Sequence, residues 1–174
     1  YSDAMEIPYY ATMETTFNNG TPPTFPSAMI NRIPSLGYTI LNRTQWMSNF
    51  LAAKAKTPYC GLAIKTSVSG TTATIEVHAG FKSGQTGAHN LTVMLTEDDV
   101  KGSGAMYDQR NSYNTNAGHL YYNAGDPIIN FSHSSTLRKM LSVNLGDAIS
   151  EAVYVQGGEY VKIYTVNISA YKVA

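Results

Sequence analysis

The stretch from Cys60 to Phe81 constrains the fold more than any other part of the chain. Cys60, Leu62, Ile64, Thr66 and Val68 alternate with Gly61, Ala63, Lys65 and Ser67. Ser69-Gly70 then interrupts, and Ile75, Val77, Ala79 and Phe81 resume the alternation. A period of two puts each set on its own face of a pleated strand, and a glycine turn between two such runs signals a hairpin. The pattern predicts antiparallel sheet with one buried face. Leu91, Val93 and Leu95 read as a third strand, and further apolar runs fall near 127–132, 136–144, 148–155 and 159–170, with turn signals at Gly146-Asp147 and Gly157-Gly158. Seven strands with no helical period between them predict a mainly β chain whose residues 59–174 form an antiparallel, immunoglobulin-like β-sandwich. Leu62, Ile64, Val77, Phe81, Val93 and Leu95 are its expected core, and Tyr154, Tyr160 and Tyr164 are expected mainly to pack.

Residues 1–58 read differently. They hold six of the seven prolines and one helical pattern, with Trp46, Met47, Phe50, Leu51 and Ala55 at helical spacing between Thr44 and Lys56. Asn42 or Thr44 can cap this helix, Lys54 and Lys56 suit its negative C-terminal end, and Pro58 stops it. Pro26 opens a short strand, and Leu36-Gly37-Tyr38 turns the chain back.

Charge narrows the function. Twelve Lys and Arg balance twelve Asp and Glu among 174 residues. The longest cationic cluster is Arg138-Lys139, so no basic patch suits a nucleic acid and none is expected as a partner. Only 14% of the chain is charged, while 18 Thr, 15 Ser and 13 Asn supply a surface of hydroxyls and amides. One cysteine, Cys60, excludes an internal disulfide or a CxxC pair within this chain and reads as a small apolar strand residue.

Neither a catalytic group nor a metal or cofactor site emerges. His78, His89, His119 and His133 lack metal-pair spacing, and no Gly-x-Ser-x-Gly motif is present. His133 is expected to bond a neighbouring carbonyl. Glu97-Asp98-Asp99 reads as a solvated turn, with Arg138 pairing across the sheet to Glu97 or Asp98. The remaining candidates are aromatic: Tyr107, Tyr113, Tyr121 and Tyr122 lie in the Gly- and Asn-rich stretch 100–126, where a ring offers a stacking plane and a hydroxyl to peptide or glycan. The same rings can instead cover sheet edges.

Three segments together resemble a known family. Leu91-Thr92-Val93-Met94-Leu95-Thr96-Glu97-Asp98, then Phe131-Ser132-His133 through Leu137-Arg138, then Leu145-Gly146-Asp147-Ala148-Ile149 are similar to the C-terminal domain of the Omp28-related outer-membrane lipoproteins of Bacteroidota. Gly20-Thr21-Pro22-Pro23 through Asn31-Arg32 is similar to that family's thioredoxin-like segment. The resemblance implies that residues 1–58 are the later part of a thioredoxin-like α/β domain with one helix, its earlier part lying upstream of Tyr1. Pro26 then matches the cis proline beside which such folds receive extended peptide, although it also reads as a trans proline opening a strand. The resemblance further implies a cell-envelope protein of the outer membrane, periplasmic or surface-exposed. It would be held by a lipid anchor outside this chain and would act without catalysis on a peptide or glycan ligand or with an outer-membrane protein partner. The alternative is a thioredoxin-fold oxidoreductase or chaperone whose CxxC lies upstream.

Overall fold

The computed structural model describes residues 5–18, 26–35 and 37–171. Helix α1 spans Tyr10–Asn18 and α2 spans Arg43–Lys54; the strands are β1 (Ser27–Ala28), β2 (Leu41–Asn42), β3 (Cys60–Ser69), β4 (Thr72–Phe81), β5 (Asn90–Leu91), β6 (Met94–Glu97), β7 (Thr136–Met140), β8 (Asp147–Ala148) and β9 (Glu159–Asn167). Every ladder is antiparallel: β1 with β2, β3 with β4 with β9, β5 with β8, and β6 with β7. The expectation of a mainly β, antiparallel chain is borne out. Among the described residues, no helix is long and apolar enough to cross a membrane.

The hairpin forms as the alternation requires. Cys60 pairs with Phe81, Ile64 with Val77 and Ser69 with Thr72, closing on the two residues Gly70 and Thr71. Gly70 takes φ +57°, where a side chain would be strained. Along β4 the prediction of phase is right, because Ala73, Ile75, Val77, Ala79 and Phe81 are buried. Along β3 it needs correction. Leu62 and Ile64, expected in the core, are 68% and 66% exposed, and every β3 residue after Cys60 faces solvent. They share a face with Ala79 and Val77, yet β3 is the outer strand of its three-stranded sheet and nothing among the described residues covers it.

Three further differences have local causes. Helix α1 was not expected, since Thr15, Thr16 and Asn18 are weak helix formers. The run 127–132 forms no strand; Asn130 has φ +56°, and the segment contributes only the isolated bridge of Ile128 to Gln109. The stretch 91–95 divides between β5 and β6, which pair with different strands. Helix α2 starts as predicted, because the Asn42 side chain accepts the Thr44 N–H at 3.0 Å. Its apolar residues Met47, Phe50 and Leu51 nonetheless stay exposed. Whether Phe25–Pro26 is cis lies outside the described residues, as do Leu36 and the run Gly20–Pro23 that carries part of the resemblance.

The chain divides into two compact units. One is built mainly from Met94–Met140; the other joins Tyr9–Val93 to Leu141–Ala170 and contains α1, α2 and the three-stranded sheet.

Candidate functional site

The tyrosine candidates fall in the first unit, where the stretch 100–133 is ordered by local bonds. Asn111, nearly fully buried, donates through Nδ2 to the carbonyls of Tyr121 (2.9 Å) and Gly125 (2.8 Å), and its Oδ1 accepts the Tyr113 N–H at 3.1 Å. The backbone N–H of Asn111 donates to Asp126 Oδ1. One buried amide thus ties together three turns of a segment that has no regular secondary structure.

This scaffold brings the rings into a string. Tyr113 stacks on His119 with centroids 3.8 Å apart and planes 10° from parallel, His119 lies 5.6 Å from Tyr121, and Tyr121 meets Phe131 edge-on at 5.8 Å. Phe131 continues to His133, whose Nε2 lies 2.7 Å from the Tyr107 carbonyl, the kind of bond foreseen for that histidine. The Tyr107 ring occupies the space where a Cβ on Gly102 would sit, so Gly102 admits its close approach to the backbone. Tyr122 is in no ring contact of the string and is 51% exposed. Pro26 is exposed at the bend before β1 and belongs to the other unit. Arg138 pairs with Glu97 at 3.2 Å, as expected across β6 and β7.

The second unit presents a site that sequence reasoning missed. In an antiparallel ladder, alternate residues point both backbone groups at the partner strand and the others point them away. The Tyr59 carbonyl accepts from Lys82 N–H across the hairpin at 2.8 Å, which sets the odd-numbered residues of β3 toward β4. The N–H and C=O groups of Cys60, Leu62, Ile64, Thr66 and Val68 therefore point outward, and no backbone hydrogen bond among the described residues engages them. Natural sheets usually blunt such an edge with charge, proline or a bulge. Over its ten residues β3 carries one charge, Lys65, and no proline.

At the Cys60 end of this edge lies a cavity of about 920 Å³. Its apolar lining includes Leu62 and the buried Ala79, Phe81, Leu91 and Ile149. Its charged lining is Arg32, Lys54 and Lys56, with no carboxylate among the lining residues and, among the described residues, no ion pair to any of the three. Arg32 is held by its backbone and its guanidinium. Asn31 and Arg32 have φ +51° and +53°, an unfavourable conformation for two successive non-glycine residues. The guanidinium lies 5.2 Å from the Phe17 ring centroid and donates to Thr92 Oγ1 at 3.4 Å. Cys60 lines the cavity too, and burial pushes its thiol up from the ordinary value of 9.0.

Two charged clusters flank the sheet. On the face of β4 opposite its buried one, His78 lies 2.8 Å from Glu159 and 2.7 Å from Glu76. The hydrogen bond to Glu159, then that to Glu76, raises the imidazole above 6.5, and the bond to His78 lowers Glu76. Elsewhere the Tyr164 hydroxyl donates to Asp147 at 2.6 Å, and Lys162 reaches the same carboxylate at 3.0 Å. Tyr164's bond is the main cause holding Asp147 below 3.8, while burial foremost drives the phenol upward. Tyr154 and Tyr164 are buried, as expected of packing tyrosines. Among the described residues no three His, Cys, Asp or Glu side chains gather as a metal site.

The signal for the open edge was absent from the sequence, because an apolar alternation looks the same on a covered strand and on a bare one. Arg32 lies 22 positions before Lys54, and only the fold brings them to one cavity.

Compared with known protein families, residues 13–172 match the family model described as outer membrane protein Omp28. No curated protein and no solved structure matches the chain.

Proposed function

The chain belongs to the Omp28 outer membrane protein family, and from that premise we propose that it is a non-catalytic module that captures an extended peptide segment by adding it as a strand to β3. The observation that supports this reading most is the unblunted edge of Cys60–Ser69, with five residues turning both backbone groups outward. Strand addition satisfies those groups in one step, and side-chain pockets beside the edge supply selectivity. Leu62, Ile64 and Val68 form an exposed apolar row on one face of that edge, where alternate side chains of an added strand would rest. The peptide belongs to a partner at the outer membrane.

Two substitutions test the edge without touching the ladder to β4. Thr66→Pro removes an outward N–H and fits an edge position, and Ile64→Lys adds the kind of charge that natural edges carry. Both are expected to weaken binding of an alternating Thr/Val peptide at least tenfold with little loss of melting temperature. Unchanged binding in both variants overturns the reading.

A second reading has its own observation. The Tyr122 ring is half exposed, two residues after the exposed Leu120 in the chain, and suits stacking on a sugar. Tyr122→Ala should abolish glycan retention in an array experiment if that surface is used; equal retention removes it.

A further inference from the structure

We infer that the cavity at the start of β3 receives the free C-terminal carboxylate of the captured peptide, together with an apolar final side chain. The inference rests on the strand-addition reading above and adds direction, terminus and selectivity to it. The argument begins with charge. Arg32, Lys54 and Lys56 line one cavity with no carboxylate in its lining, and among the described residues none of them is in an ion pair. Three cations over an apolar lining attract an anion that carries a hydrophobic group.

Strand direction makes that anion a C-terminus. β3 runs from Cys60, in the lining of the cavity, to Ser69 at the hairpin turn. A peptide added antiparallel to β3 ends where β3 begins and delivers its α-carboxylate to the Cys60 end. A peptide added in parallel would bring its α-ammonium to three cations, which like-charge repulsion opposes. Charge therefore selects the antiparallel direction, the same sense as every other ladder in the protein.

The same geometry sets the last side chain. Residues opposite each other in an antiparallel pair share a face, so the peptide residue facing Cys60 or Leu62 rests on the face that carries Ala79 and Phe81. Those two are buried, and with Leu91 and Ile149 they give a hydrophobic seat. A cavity of about 920 Å³ is within the range of ligand sites and holds a leucine- or phenylalanine-sized group with its carboxylate. The paired left-handed conformations of Asn31 and Arg32 fit a segment shaped to aim a cation rather than to relax.

The test uses the 174-residue chain and two acetylated octapeptides of alternating threonine and valine ending in leucine, one a free acid and the other its amide. Binding is read by fluorescence anisotropy and by protection of Cys60, the only thiol, from alkylation by iodoacetamide. The free acid is expected to bind at least tenfold more tightly than the amide and to protect Cys60. In the triple variant Arg32→Gln, Lys54→Gln, Lys56→Gln, whose substituted side chains are all exposed, the two peptides should bind equally. Equal binding of acid and amide to the unaltered chain overturns the carboxylate site and leaves strand addition standing. Failure of both peptides overturns strand addition and this inference with it. Protection of Cys60 by dodecanoate but by neither peptide overturns the inference in favour of a fatty-acid site.

Discussion

Ile64 and Val77 face each other across one ladder, and replacing each in turn by alanine separates a bare strand from a covered one. Val77 is 2% exposed, so Val77→Ala removes two methyl groups from a packed site. At about 0.8 kcal/mol per buried methylene, with a further contribution from the cavity left behind, the loss is about 2–3 kcal/mol. Ile64→Ala removes more carbon, but at 66% exposure only about a third of that hydrophobic gain exists, which leaves about 0.8 kcal/mol. For a chain of this size each kcal/mol shifts the melting midpoint by about 2–4 °C. Val77→Ala should therefore lower it by about 4–12 °C and Ile64→Ala by no more than about 3 °C. Urea titration gives the same comparison without heating. Equal losses would mean that the Ile64 face is covered in the folded protein, which removes the surface on which the functional proposal stands. A harmless Val77→Ala would put the buried phase of β4 in error.

Three further outcomes follow from the charged clusters and one turn. His78 should titrate above 6.5 in an NMR pH series, because both ring nitrogens meet carboxylates. Since the folded value is raised, its stabilisation is complete below about 6.5 and is lost as pH rises through the raised value; Glu159→Gln should bring the midpoint down, and an unchanged midpoint refutes the contact. Tyr164→Phe should cost about 1–2 kcal/mol by urea titration and raise the Asp147 carboxyl toward 3.8. As a lowered carboxylate, Asp147 contributes stability that disappears as pH falls through its folded value, so the variant should show a weaker acid dependence. Gly146→Ala should destabilise by at least about 2 kcal/mol, as φ is +100° and an added Cβ would meet Asn90, Leu91 and Thr92 within about 3 Å. A stable Gly146→Ala protein would refute that packing.

What the sequence made legible was local. The hairpin of Cys60–Phe81 was readable as two alternating strands about a turn at Gly70, although Ser69, read as part of that turn, pairs with Thr72, and the Asn42 cap marked the start of α2. Burial along β3 was not readable, because the pattern Leu62, Ile64, Val68 records a hydrophobic row and not what lies across from it. Helix α1 was hidden by threonines that weaken local helical preference. The tyrosines were readable only as sharing one stretch; the linkage of Tyr113 and Tyr121 through His119 and on to Phe131 depends on the Asn111 amide, which brings residues 121 and 125 to residue 111. The cationic cavity was the least legible part. Lys54 and Lys56 have an adequate local explanation at the end of a helix, and only long-range folding joins them to Arg32.

The central claim is that β3 offers its outer edge to a peptide strand, and amide hydrogen exchange on the 174-residue chain reads that edge directly. Without peptide, the outward N–H groups of Leu62, Ile64, Thr66 and Val68 should exchange rapidly, while those of Ala63, Lys65 and Ser67, bonded into the ladder with β4, exchange slowly. Saturation with the alternating Thr/Val octapeptide should slow the four outward amides by about tenfold or more and leave the inward three unchanged. Outward amides already protected in the free chain, or still fast in the saturated one, would contradict the account.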